Sequence, residues 1–166
     1  MVEVFIGVGS NVDPVHNIRS SIGHLREALS NVKCSPVYRN PATGFSGDEF
    51  FNLVVGTETS LTIPALKALL REIEYAQGRH RGEAKFAART IDLDLLTYGD
   101  TVISTPTDNL PRTDILEYAF VLRPLAELAP SARHPALDIT YQELWAKFAG
   151  ERSNLNLVPN VFNAPN

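Results

Sequence analysis

Cysteine is nearly absent: Cys34 is the single one in 166 residues. An intramolecular disulfide is therefore excluded, and nothing around Cys34 gives it a catalytic context. It falls in an expected strand, where a small buried residue is the ordinary reading. Long apolar runs are missing too, and none approaches the length of a membrane span. The apolar opening, residues 1–9, has no basic stretch before it and no small-residue cleavage site after it. It reads as a strand rather than a secretory leader, so the cytoplasm is the expected location. Basic charge is not in excess: Lys and Arg number 15 against 19 Asp and Glu, a net charge of −4. That balance argues against a general nucleic-acid binder and leaves a small anionic ligand open. Glycine fingerprints are incomplete. Gly7-Val8-Gly9 begins like a dinucleotide turn, but Val12 stands where a third glycine belongs, and there is no Walker-type phosphate loop. His16, His24, His80 and His134 share no metal-ligand spacing, which argues against zinc.

What is present is a globular chain, 44% hydrophobic, long enough for one domain with a real core. Residues 2–8 read as a buried strand, broken at Gly9-Ser10-Asn11. Asp13 and Pro14 open a helix whose Val15, Ile18, Ile22, Leu25 and Leu29 recur at spacings of three and four. Residues 31–39 and 50–57 read as strands, separated by a loop holding Pro41, Gly44 and Gly47. Thr62 and Pro64 open a second helix, with Leu66, Leu69, Leu70 and Ile73 on one face and Gly78 at its end. Gly99-Asp100 suggests a hairpin from the following strand to residues 101–103. Residues 115–128 mix a short helix with a strand ending near Pro124. Thr140 and Glu143 form a capping box for a last helix through Phe148. The pattern predicts a single α+β domain over residues 1–150, with a mainly antiparallel sheet flanked by helices. A tail rich in asparagine and proline, residues 151–166, is expected to be loosely held.

The chemistry concentrates in Arg89-Thr90-Ile91-Asp92-Leu93-Asp94-Leu95-Leu96. In a strand, alternate side chains share a face, so Asp92 and Asp94 project together while Ile91, Leu93 and Leu95 project oppositely. The two acids then lie roughly 6–7 Å apart along the strand. Like charges so placed are costly without a cation, and the arrangement suits one or two divalent ions. An ordinary acidic strand face is the competing reading. Just upstream, residues 79–89 carry Arg79, Arg81, Lys85 and Arg89 without any apolar period. Alone they read as a solvated loop; beside paired carboxylates they fit a polyphosphate, whose charge metal and arginines both neutralise. Asn52 sits inside an apolar strand and must be hydrogen-bonded, either stapling a loop or reading a heterocycle edge. Phe50 and Phe120 read as core residues in preference to stacking platforms.

The run from Arg89 to Leu96, preceded by Glu74 and by Gly78-Arg79-x-Arg81, resembles the 6-hydroxymethyl-7,8-dihydropterin pyrophosphokinase family. Collinear segments carry the likeness through about residue 148: Gly9-Ser10-Asn11, Tyr38-Arg39-x-Pro41-x-x-Gly44, Phe51-Asn52, and the run from Phe120 to Pro130. The resemblance implies a monomeric, ferredoxin-like enzyme of folate biosynthesis that moves pyrophosphate from ATP to a reduced pterin, releasing AMP. It implies two Mg2+ ions on Asp92 and Asp94. Arg79 and Arg89 would meet the phosphates, with Glu74, Arg81, Leu95 and Arg112 near the nucleotide. Asn52 and the backbone of Ala42 and Thr43 would read the pterin edge, and Phe120 would stack on the ring. Small molecules are thus the expected partners, with neither nucleic acid nor membrane.

Departures from the family pattern are local. Phe86-Ala87-Ala88-Arg89 stands where the family commonly has Trp-Gly-Pro-Arg. Pro111-Arg112-Thr113 replaces a Pro-His-Tyr segment, and Phe50 replaces an aromatic hydroxyl near Asn52. They motivate an alternative: a divergent paralogue that binds pterin or nucleotide with weak, absent or altered transferase activity.

Overall fold

The computed structural model describes residues 1–41, 48–78 and 90–162. Two β-α-β units interlock. The first runs β1 (Val2–Ser10), α1 (Pro14–Ala28), then β2 (Ser30–Cys34) and β3 (Val37–Asn40). The second runs β4 (Phe50–Thr59), α2 (Ile63–Ala76), β5 (Asp92–Tyr98). Each unit places one strand of the other between its own, giving the sheet order β5-β1-β4-β3-β8, with β2 also on β4. Every pairing is antiparallel.

The sheet buries both faces. On one, Val4, Ile6, Val8, Leu53, Val55, Leu93 and Leu95 meet Ile18, Ile22 and Leu25 of α1 and Leu66, Leu70 and Ile73 of α2. On the other, Phe5, Val54 and Leu96 meet three helices: α3 (Asp114–Glu117), α4 (Ala119–Leu128) and α5 (Tyr141–Ala146). The period-2 alternation of β1, β4 and β5 thus feeds two cores, and a cleft lined by Gly7, Gly9, Asp92 and Asp94 opens on the second face.

Several expectations are corrected. The expected strand 31–39 is two strands, because Pro36 has no N–H for the ladder and the register against β4 slips by one residue between Cys34 and Tyr38. The Ser35 hydroxyl fills the gap by accepting from Val54 N at 2.8 Å. Strand β1 continues through Gly9 and Ser10 rather than breaking at them. Asp13 stands at the start of α1 with φ 38°, so its side chain makes no cap bond there, whereas Thr62 accepts from Ala65 N at 3.3 Å and caps α2. The hairpin from β5 does not form. Instead β6 (Ile103–Ser104) pairs with β7 (Asn109–Leu110), while β5 pairs with β1. Residues 119–128 are helical throughout, with Pro124 inside α4; Val121, Leu122, Leu125 and Ala126 share a buried face that a strand would split. The last helix ends at Ala146 rather than Phe148. In the tail, β8 (Asn156–Val158) pairs with β3 and Val161 is buried at 4% exposure. Apolar residues within that polar segment hold it, and the Arg19 guanidinium donates to the Val161 carbonyl.

Among the described residues no helix is long and apolar enough to cross a membrane.

Candidate active site

Strand register builds the site. Gly9 of β1 faces Asn52 of β4 on one side and Asp92 of β5 on the other. The next same-face row, two residues back along β1, is Val54, Gly7 and Asp94. Two glycines therefore floor a cleft whose banks are an amide and a carboxylate pair. Glycine inside a strand weakens it and marks close approach of another group. The absent side chains are needed here: a Cβ on Gly9 would stand 2.8 Å from Asn52 Oδ1. The Gly7-Val8-Gly9 run, which fails as a dinucleotide turn, is this floor.

The cleft encloses about 470 Å³ and is roofed by Arg112, Tyr118, Phe120 and Val121, with Asn40 and Phe50 beside Asn52. Asn52 is hydrogen-bonded, as a buried amide must be: its Nδ2 donates to Asn40 Oδ1 at 2.5 Å. It thereby joins β4 to the end of β3, and it also lines the cleft. Phe120 lines the cleft too, and its ring stacks on Tyr118 with centroids 4.9 Å apart and planes 18° from parallel.

Electrostatics are dominated by acid. Asp92, Asp94, Asp114 and Glu117 all line the cleft. Burial pushes the Asp94 carboxyl up to about 7, and the neighbouring Asp92 adds to the rise, while Arg112 opposes it. Arg112 is held from three sides. Its backbone N–H donates to Leu96 O at 2.8 Å, Nη2 meets Asp114 Oδ2 at 3.3 Å, and Nη1 lies 4.0 Å from Asp94 Oδ1. Two strand-borne carboxylates with oxygen-only donors fit a hard divalent cation whose remaining shell is substrate oxygen and water. No group of three or more His, Cys, Asp or Glu suited to a metal occurs among the described residues.

The other expected residues divide. Glu74 is buried in α2 and its Oε1 accepts from Leu93 N at 3.0 Å, which pins β5 from behind rather than entering the cleft. Leu95 is not brought to the cleft: its side chain points to the opposite face, 4% exposed in the core under α1 and α2. The alternation that put Asp92 and Asp94 together had already assigned Leu95 to that side. Ala42, Thr43, Arg79, Arg81 and Arg89 lie outside the described residues. Sequence reasoning missed Gly7, Gly9, Asn40, Asp114, Glu117 and Tyr118. For the glycines the signal existed, as two small residues at even spacing inside an apolar strand. For the others it did not, since Asn40 at the end of β3 and Asp114, Glu117 and Tyr118 in and after the short α3 reach the cleft only through tertiary packing.

A three-layered antiparallel α+β domain, with paired strand carboxylates across a glycine floor from a buried amide, defines the class: a small-molecule enzyme domain. A family model described as 7,8-dihydro-6-hydroxymethylpterin-pyrophosphokinase (HPPK) matches residues 5–130. The 2-amino-4-hydroxy-6-hydroxymethyldihydropteridine pyrophosphokinase of Aquifex aeolicus is 36% identical over 137 residues, 81% of this chain and 85% of that one. The protein of the same name from Synechocystis sp. is 37% identical over 142 residues, 84% of this chain and 72% of that one. A solved structure of Plasmodium falciparum HPPK-DHPS, wild type with pteroate, shares the fold with a TM-score of 0.71 at 11% identity, covering 89% of this chain and 44% of that one. The chain belongs to the 7,8-dihydro-6-hydroxymethylpterin-pyrophosphokinase family.

Proposed function

We propose that this protein transfers pyrophosphate from ATP to the hydroxymethyl group of 6-hydroxymethyl-7,8-dihydropterin, a step of folate biosynthesis. The hydroxyl oxygen forms a bond to the β-phosphorus, the bond from that phosphorus to the α–β bridging oxygen breaks, AMP leaves, and the hydroxyl proton is released. The observation that carries the reading is the row Asn52–Gly9–Asp92. Its ends are two strand spacings apart, roughly 10 Å. A flat bicyclic ring laid across Gly9 would present its polar edge to Asn52 and its hydroxymethyl arm to the carboxylates. Phe120, buttressed by Tyr118, supplies an aromatic face for that ring.

Little covalent chemistry is asked of the protein; positioning and charge neutralisation do the work. Asp92 and Asp94 would hold magnesium, two ions in our reading, which when bound lowers the cost of bringing polyphosphate to an acidic cleft. Arg112 stands beside Asp94 and would meet a phosphate oxygen as a permanent cation. Arg79, Arg81 and Arg89 would add further charge around the phosphates, and Ala42 and Thr43 further hydrogen bonds to the pterin. The interlocked β-α-β units fit the ferredoxin-like label. We take the protein to act as a monomer in the cytoplasm.

Purified protein with Mg2+, ATP and the pterin should release AMP in proportion to pterin consumed; no AMP above background would refute the assignment. Asp94→Ala should lower turnover by at least about a hundredfold, the loss of transition-state charge stabilisation, with the fold retained by circular dichroism. The ion-paired Arg112 also favours a second reading, a divergent paralogue of altered nucleotide affinity. Calorimetry separates the two: pterin binding without MgATP binding supports the paralogue.

A further inference from the structure

We infer that Asn40 is the positioning residue that fixes which end of the Asn52 amide faces the ligand, so that the cleft selects a heterocycle edge bearing an N–H donor. The inference deepens the proposed function and rests on the pterin site assigned there. Oxygen and nitrogen of a side-chain amide are distinguished by their partners, and here the partners form a chain that ends on the backbone. The Pro41 carbonyl can only accept, and Asn40 Nδ2 donates to it at 3.1 Å. That bond leaves Asn40 Oδ1 as the acceptor facing Asn52, so Asn52 must present Nδ2 to it, at 2.5 Å. Asn52 Oδ1 is thereby turned towards β1, over the bare Cα of Gly9.

Both amides are buried, Asn40 at 6% and Asn52 at 9% exposure, and both line the cleft. In the register, Tyr38 is the residue directly opposite Asn52, and Asn40 lies two further along β3 on the same face. Asn40 therefore reaches Asn52 diagonally across the strand pair, and the hydrogen bond between the two amides makes that contact. With its oxygen fixed over the floor, Asn52 offers an acceptor and one remaining N–H to a ligand lying on Gly9. A ring edge with a lactam N–H next to an acceptor satisfies both. An edge carrying a methyl group in place of that hydrogen leaves a buried oxygen unpaired, which is the more costly mismatch. Asn40 borders the cleft as well, but its Nδ2 is engaged by the Pro41 carbonyl and its Oδ1 by Asn52, so its part in recognition runs through Asn52 and it is a positioning residue.

The test compares wild type, Asn40→Ala, Asn40→Ser, Asn52→Ala and the double variant, with 6-hydroxymethyl-7,8-dihydropterin and its N3-methyl derivative as probes. Pterin binding is followed by fluorescence without nucleotide, and turnover by AMP release. For Asn40→Ala we expect pterin affinity to fall about tenfold, one hydrogen bond's worth of orientation, with KM for ATP unchanged. Preference for the N3–H pterin over its N3-methyl derivative should shrink by a similar factor. Asn40→Ser, whose hydroxyl both accepts and donates, should recover part of the loss. The double variant should bind no worse than Asn52→Ala alone, since the two residues act as one unit. Full additivity, or unchanged affinity and preference in both Asn40 variants, would overturn the inference. Wild-type protein that binds the pterin but releases no AMP would sink the transferase assignment and leave the Asn40 result readable from binding alone.

Discussion

A methyl group on Gly9 would lie 2.8 Å from Asn52 Oδ1, closer than real Cβ contacts come, whereas one on Gly7 would meet only Leu96 at 3.4 Å. The two floor glycines thus differ in what they protect. Gly9→Ala must turn the Asn52 amide away, and because an amide end moves more easily than backbone, the cost falls on ligand recognition rather than folding. We expect Gly9→Ala to weaken pterin binding about tenfold while changing stability by no more than about 1 kcal/mol, measured by pterin fluorescence titration and urea unfolding. Equal loss in Gly7→Ala would mean that the floor itself, not the amide, is what matters. Residue chemistry of this kind was partly legible in the sequence. Alternation alone put Asp92 and Asp94 on one face and Leu95 on the other, and the structure keeps both assignments. Leu95 sends its side chain into the core under α1 and α2 because side-chain direction is set by the pleat, which leaves only its backbone to meet a nucleotide. Asn40 was illegible, because its importance comes from a partner on another strand.

Elements were legible where a single period ran long enough. Both principal helices and strands β1, β4 and β5 stand close to where periodicity places them. The misreadings cluster at proline. Pro36 splits one expected strand in two, and Pro124 made a helix look like a strand end. A turn signal at Gly99-Asp100 predicts a tight turn but cannot name the partner strand; β5 finds β1 because that pairing buries Leu93 and Leu95. The connection between α4 and α5 shows how an element boundary acquires a pH dependence. His134 is 4% exposed, and its Nδ1 accepts from Ala136 N and Leu137 N, both at 3.2 Å. Its nearest ionisable neighbour in ring contact is Tyr141. Burial lowers the His134 pKa below its ordinary value. The unfolded chain therefore binds the proton more readily than the folded one. The stability held by the neutral ring is complete above about pH 6.5 and is lost as pH falls from there towards the folded pKa. His134→Asn keeps an acceptor for the two N–H groups and removes the titration. Urea midpoints at about pH 7.5 and about pH 5.5 should separate less in the variant than in wild type; an unchanged pH slope would show that His134 does not supply it.

At the scale of the whole molecule, the sheet has two edges with different duties. β5, carrying the carboxylates, lies at one edge, and β8, from the tail, lies at the other. The tail's composition suggested loose attachment, and what that composition conceals is three anchors: the β8–β3 pairing, buried Val161, and the Arg19 bond to the Val161 carbonyl. Val37, Tyr38 and Arg39 of β3 pair with β8, and Asn40 follows immediately. The tail therefore supports the amide bank of the cleft from the side, while β5 is supported independently by β1 and by Glu74. Removing residues 151–166 should cost at least about 2 kcal/mol, the burial of one large aliphatic side chain, read as a lower urea midpoint. Its effect on ligands should be lopsided. Pterin affinity should fall severalfold as β3 and Asn40 loosen, while Mn2+ affinity, measured by electron paramagnetic resonance as a stand-in for magnesium at Asp92 and Asp94, should hold within about twofold. Equal losses at both sites would mean that the sheet answers as one rigid unit, and the separation of the two banks across the Gly7–Gly9 floor would then have no energetic meaning.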